Sequence, residues 1–179
     1  KPIVAMANTP TGQGYWLLAS DGGVFTFGDA TFHGSTGNMR LNAPVTDMAA
    51  APSGRGYWLT ATDGGVFTFG QARFYGSTGN MTLNQPVVSI AAHPTAGYWL
   101  VARDGGVFAF GGARYHGSLP GEGIATTKGA RVRATVGGLG YYITTLDGGI
   151  HSFGNAAPIT PAGSSGPAPV VDVMVPAIN

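Results

Sequence analysis

Four aspartates, Asp21, Asp63, Asp104 and Asp147, each head the triplet Asp-Gly-Gly, and they recur at spacings of 42, 41 and 43 residues. A carboxylate repeated so regularly could ligate calcium or serve a reaction. Each triplet, however, lies between two aromatic stretches. A tight hairpin there needs positive φ at its centre, which Gly adopts freely and Asp tolerates. The aspartates are therefore read first as turn residues. The remaining acids are Asp29, Asp47, Glu122 and Asp172, so a carboxylate pair for glycoside hydrolysis would have to come from a set with one glutamate. Nucleophile-elbow, phosphate-loop and His-Glu-x-x-His patterns are missing. Repetition also argues against catalysis, because an active site needs unlike groups converging on one point. The sequence predicts a non-catalytic chain.

The four histidines are His33, His93, His116 and His151. His33 and His116 occupy equivalent places, but Tyr75 fills that place in the second unit, and Tyr does not replace His in a zinc site. They are read as packing or surface residues, and neither a metal nor a cofactor is expected. The aromatics offer more. Trp16, Trp58, Trp99 and Tyr142 stand at one position of the repeat, and such rings can stack on the apolar face of a sugar. Asn38 and Asn80 stand in the matching loops "STGNMRLNAP" and "STGNMTLNQP". These six residues are the candidate ligand-binding set. The competing reading makes the Trp side chains core and each Asn a turn residue at positive φ. Neighbouring strand residues point to opposite sides, so Tyr15 and Trp16 cannot serve one pocket.

The elements that would position these residues come from one unit written four times. Each unit divides into four short extended pieces: a Pro-led apolar segment, Gly-Tyr-Trp-Leu running to the Asp, Val-Phe-Thr-Phe-Gly, and Ala-x-Phe/Tyr-His/Tyr-Gly. Their length, aromatic and β-branched content and Gly/Pro punctuation read as strands. Both faces of the middle pieces are apolar, so the sheets must pack face to face. The period fits propeller blades of four strands. The predicted fold is all-β, a small β-propeller of four-stranded antiparallel blades over residues 2–43, 44–85, 86–129 and 130–168. Residues 169–179, with "PVVDVMV" echoing the opening "PIVAMA", are expected to close the ring or to begin a further blade. Four blades are expected, or five if the native chain continues.

Composition narrows the partners. The chain has 179 residues, 44% hydrophobic and 9% charged, with net charge +1. Soluble domains usually carry about 25% charged residues. Nine Lys and Arg are scattered, and the one local group, Lys128, Arg131 and Arg133, is read as a solvated strand edge. A nucleic-acid partner is not expected. The apolar runs are short and broken by Gly or Pro, so no membrane insertion is expected. Cysteine is absent, which excludes disulfides and thiolate metal sites. No signal-peptide pattern opens the chain, so any such peptide is expected to have been removed.

The stretch "GYWLVARDGGVFAFGGARYHGS" with the preceding "PVVSIAAHP" resembles the tandem aromatic repeat of secreted actinobacterial proteins. The resemblance covers residues 2 to about 155, strongly in the first three units and weakly in the fourth. It implies an exported accessory domain, secreted or at the cell surface, found beside peptidase, amidase or glycosidase domains. It carries over no catalytic residue. More distantly, the plan is similar to small propeller lectins. The function expected is multivalent binding of a polysaccharide or cell-wall glycan. The alternative is a structural or protein-interaction scaffold holding a partner protein or an attached catalytic domain.

Overall fold

The structure, a computed structural model, describes residues 1–126 and 129–159. The expected terminal strand over 169–179 and Lys128 of the small basic group lie outside these residues. Among the described residues, twelve strands form four antiparallel sheets of three strands each. The first holds β1 (Ile3–Asn8), β2 (Gly14–Ala19) and β3 (Val24–Gly28), and the second holds β4 (Val45–Ala50), β5 (Gly56–Ala61) and β6 (Val66–Gly70). The third holds β7 (Val87–Ala92), β8 (Gly97–Ala102) and β9 (Val107–Gly111), and the fourth holds β10 (Ala130–Ala134), β11 (Gly140–Thr145) and β12 (Ile150–Gly154). One 3₁₀ turn, Pro120–Glu122, is the only helical element among the described residues.

The sequence predicts four strands per blade, and three form. The fourth piece leaves the sheet because β3, β6, β9 and β12 all end on a glycine at positive φ: Gly28 at 63°, Gly70 at 65°, Gly111 at 69° and Gly154 at 66°. A Cβ at Gly28 would lie 2.1 Å from the carbonyl oxygen of Gln13, so no other residue fits that bend. The chain turns there and runs towards the next blade instead of along the outer strand.

Alternate residues of each middle strand face opposite neighbours, as strand geometry requires. We call the side of a blade towards the preceding blade its leading face, and the other its trailing face. Trp16 and Leu18 on the trailing face of blade one pack with Val45, Met48, Tyr57 and Leu59 on the leading face of blade two. Trp58 likewise joins Ile90, Tyr98 and Leu100, while Trp99 and Val101 join Val132, Tyr141 and Ile143. The geometry repeats closely: the Trp and Tyr rings lie 5.6, 5.4 and 5.4 Å apart, inclined at 58°, 59° and 58°. Offset aromatic pairs of this kind contribute about 0.5–1.5 kcal/mol beyond the area they bury.

The inner strands β1, β4, β7 and β10 touch in succession around one axis, and no contact joins β1 to β10. The described blades therefore form an open arc; the first and fourth do not meet. The leading face of the first blade is uncovered, with Ile3, Met6, Tyr15, Phe25 and Phe27 exposed. On the trailing face of the fourth, Tyr142 and Thr144 are buried. The two ends of the arc are thus unlike.

Candidate functional site

The aromatic residues proposed as stacking faces are in the core. Trp16, Trp58, Trp99 and Tyr142 are 0, 3, 0 and 5% exposed. Rings buried to this degree have no face left for a ligand. What the three indoles do instead is hold the segment after the third strand. Their Nε1–H groups donate to the carbonyls of Thr31, Arg73 and Arg114, at 2.8, 2.9 and 2.7 Å.

The same segment is gripped from the next blade. The Tyr57 hydroxyl donates to the carbonyl of Gly34 at 2.5 Å and accepts the N–H of His33 at 3.1 Å. Tyr98 treats Gly76 and Tyr75 alike, and Tyr141 treats Gly117 and His116 alike. Burial pushes all three phenols above their ordinary pKa, so they stay protonated and able to donate. Gly34, Gly76 and Gly117 have φ of 130°, 134° and 133°. A Cβ at Gly76 would lie 2.6 Å from the Phe110 ring. These glycines let the segment lie flat on the neighbouring blade.

One residue in each segment sits between the two clamps and is turned outward. Phe32, Phe74 and Tyr115 are 55, 55 and 57% exposed. A large apolar ring at the same exposed place in three successive blades is unusual for a surface with no task. Its backbone is fixed on one side by the indole of its own blade and on the other by the phenol of the next. The ring is therefore displayed at little entropic cost on binding. Exposed polar side chains stand directly before it: Thr31, Arg73 and Arg114. In the fourth unit Pro158 takes this place. Sequence reading missed the three rings because it treated their segment as a strand, where alternate side chains are covered. The signal available was the glycine two residues later, which shortens the run to a few residues.

Asn38 and Asn80 are exposed, and no residue other than Gly has positive φ among those described. Asn is thus not needed by the backbone, and the positive-φ reading is corrected. Each lies inside a turn closed by the N–H of Met39 on the Thr36 carbonyl, or of Met81 on the Thr78 carbonyl, both at 2.9 Å. The Asp-Gly-Gly turns are also of another kind than expected. The Gly22 N–H donates to the Ala19 carbonyl and only Gly22 has positive φ, at 84°, so Asp21 lies inside the turn at negative φ. Its Oδ1 accepts the N–H of Gly23 at 3.1 Å, and Asp63 and Asp104 do the same for Gly65 and Gly106. The carboxylates are consumed by their own turns. His33 and His116 pack on the rings of Tyr57 and Tyr141, with centroids 5.6 and 5.7 Å apart. His93 packs on the Trp99 ring at 5.4 Å, and His151 replaces the phenylalanine of the other blades on β12.

A second feature lies on the axis, where the inner strands border an open cleft of about 680 Å³. Asp47, Arg131 and Arg133 line it, among small side chains such as Ala49, Ala50, Ala91 and Ala92. The Asp47 carboxylate accepts the Met48 N–H at 2.9 Å, the Ser89 hydroxyl at 2.9 Å and the Ile90 N–H at 3.0 Å. Ser89 Oγ in turn accepts the Val132 N–H at 3.3 Å, and Arg131 donates to the Val88 carbonyl at 2.5 Å. Burial pushes the Asp47 carboxyl above its ordinary value, opposed by the Arg131 charge and by the hydrogen bonds from Ile90, Ser89 and Met48.

No protein-family model and no curated protein matches the sequence. Among solved structures the chain is similar to the β-propeller domain of Cps50 (Swd1) from Myceliophteria thermophila, with 10% identity and a TM-score of 0.53. The match covers 82% of this chain and 50% of that one. Identity so low establishes the architecture alone, and the chain spans half of that propeller chain. Repeated antiparallel sheets packed face to face around an axis, together with this likeness, identify the described residues as a set of β-propeller blades.

Proposed function

We propose that the chain is a non-catalytic, exported module that binds a polysaccharide or cell-wall glycan along the rim formed by Phe32, Phe74 and Tyr115. The observation that carries this reading is the threefold repetition of an exposed aromatic held by two buried clamps. Each ring supplies an apolar face, and Arg73 and Arg114 beside two of them supply donors for hydroxyl groups. Single sites of this kind are shallow and weak. Linking them along one polymer raises apparent affinity by roughly 10²–10⁴ with no new contact. The secreted, actinobacterial setting follows from the resemblance of the repeat, and it places cell-wall and plant polymers first among ligands. Affinity electrophoresis through gels containing peptidoglycan fragments, arabinogalactan or xylan tests the reading. Retardation of the wild-type chain and its loss in Phe74→Ala supports it; free migration in every gel rejects it.

A second reading, a protein-interaction scaffold, is favoured by the uncovered leading face of the first blade. Ile3, Met6, Phe25 and Phe27 are exposed there, while the equivalent Val45 and Met48 are buried. The occupant we assign is a second copy of this chain, face to face about a two-fold axis, since Tyr142 and Thr144 at the other end of the arc are buried and offer no matching apolar surface. Sedimentation equilibrium distinguishes the two: a dimer abolished by Phe25→Glu supports the scaffold, and a monomer at all concentrations rejects it.

A further inference from the structure

Charge is distributed unevenly along the aromatic rim. In the second and third blades the residue before the exposed ring is an arginine, Arg73 or Arg114, and both are exposed. Their carbonyls accept the indole N–H groups of Trp58 and Trp99, which fixes the backbone from which each side chain leaves. Among the described residues no ion pair or hydrogen bond engages either guanidinium group. In the first blade Thr31 takes the arginine's place, and Asp29 stands where the second and third blades have Gln71 and Gly112. The Asp29 carboxylate accepts the hydroxyls of Thr11 and Thr9, and these hydrogen bonds hold its pKa below the ordinary value. The first rim site therefore carries a fixed negative charge, and the next two carry positive ones.

A guanidinium group presents its donors in a planar fork that matches a carboxylate bidentately. Arg73 precedes Phe74 directly, and Arg114 precedes Tyr115 in the same way. The Tyr115 hydroxyl donates to Ser118 Oγ at 3.1 Å, which holds that ring in place. Glu122, on the 3₁₀ turn that follows, forms no ion pair with Arg114. A ligand unit that uses both members of such a pair must carry an apolar ring face and an acid together. A uronic acid residue does, with its pyranose C–H face and its C6 carboxylate. A neutral sugar offers only the face, and a phosphate chain offers only the charge.

We propose that the ligand of the rim is an acidic polysaccharide built of uronic acid residues, with carboxylates on Arg73 and Arg114 and sugar rings on Phe74 and Tyr115. The proposal rests on the rim being the glycan-binding edge. The second and third blades form the binding pair, and Phe32, three residues after the ionised Asp29, contributes least. One exposed ion pair is weak and screened by salt, so the polymer is held by linking two such contacts with two stacked rings.

The test is titration calorimetry of the full chain with three polymers. Polygalacturonate carries rings and charge, its methyl ester keeps the rings without the charge, and polyphosphate keeps the charge without rings. Polygalacturonate is expected to bind roughly tenfold more tightly than the ester, the effect of two exposed ion pairs. That difference should shrink as salt is added, and polyphosphate should bind more weakly than polygalacturonate. The Arg73→Gln, Arg114→Gln double variant keeps both backbone carbonyls for the indoles, so it should stay folded and bind acid and ester alike. Phe32→Ala should cost polygalacturonate less affinity than Phe74→Ala. Equal affinity of the wild-type chain for acid and ester would overturn the proposal and leave rim binding itself standing. Polyphosphate bound as tightly as polygalacturonate, a folded double variant that keeps the preference for acid, or equal losses in Phe32→Ala and Phe74→Ala would also overturn it. No binding of any polymer by the folded chain would overturn the rim reading together with the proposal.

Discussion

Trp58 and Phe74 are close in sequence and opposite in duty, and substitution separates them. Trp58→Ala should cost about 3–5 kcal/mol, the usual penalty for emptying a large buried aromatic site. Against a typical stability of about 5–15 kcal/mol this is a large share. Trp58→Phe keeps most of the packing but leaves the Arg73 carbonyl without its donor, at a cost of about 1–3 kcal/mol. Phe74→Ala should stay within about 0.5 kcal/mol of wild type, as exposed substitutions do. Urea unfolding of the three variants checks the order; a Phe74→Ala loss as large as that of Trp58→Ala would mean the ring is packed. Asp47 gives a pH test. Its folded-state pKa is raised, so over the interval between the unfolded and folded values the folded chain keeps a proton that the unfolded chain releases. Stability must therefore fall as pH rises through that interval. Asp47→Asn removes the titrating group and should flatten this part of the profile; an identical slope in both proteins would contradict the assignment.

At the scale of elements, the turn and the rim segment are one device. The Thr36 N–H donates to the Gly22 carbonyl and the Thr78 N–H to that of Gly64, so each loop after the rim docks back on the Asp-Gly-Gly turn of its own blade. A Cβ at Gly64 would lie 1.7 Å from Thr78 Oγ1, at a φ of 77°. Gly64→Val should thus cost at least about 1–3 kcal/mol from backbone strain alone, read as a lowered melting temperature; an unchanged melt would contradict the turn geometry. The strands and the two buried faces were legible, because Tyr-Trp-Leu and Val-Phe-Thr-Phe alternate apolar groups on both sides. The hairpin position was legible from Asp-Gly-Gly, but not its type, which depends on which glycine takes positive φ. The rim was illegible for a different reason. Whether Ala-x-Phe-His-Gly pairs as a strand depends on Gly28 turning the chain away and on a phenol supplied by the following repeat, 24 residues on from His33 to Tyr57.

For the whole molecule, the blade count within the described residues was legible from the periodicity, but the curvature was not. An arc in which β1 and β10 stay apart follows from the angle between neighbouring blades, which no single repeat encodes. The Asp47–Ser89 hydrogen bond was hidden for a similar reason, since it joins equivalent positions of two repeats that carry different residues. The exposed end makes a sharp contrast between matched sites. Met6 is 56% exposed and Met48 is 3% exposed. Met6→Glu should leave the fold intact, whereas Met48→Glu puts an unpaired charge between blades and should cost about 3–5 kcal/mol. Equal effects in circular dichroism melts would mean that the first blade is covered after all. The rim account is tested most directly by calorimetry of one glycan series, from monosaccharide to polymer, on wild type and on the Phe32→Ala, Phe74→Ala, Tyr115→Ala triple variant. The account predicts affinity rising with chain length by roughly 10²-fold or more in wild type, and no binding by the folded triple variant; affinity independent of length, or a triple variant that binds as wild type does, would contradict it.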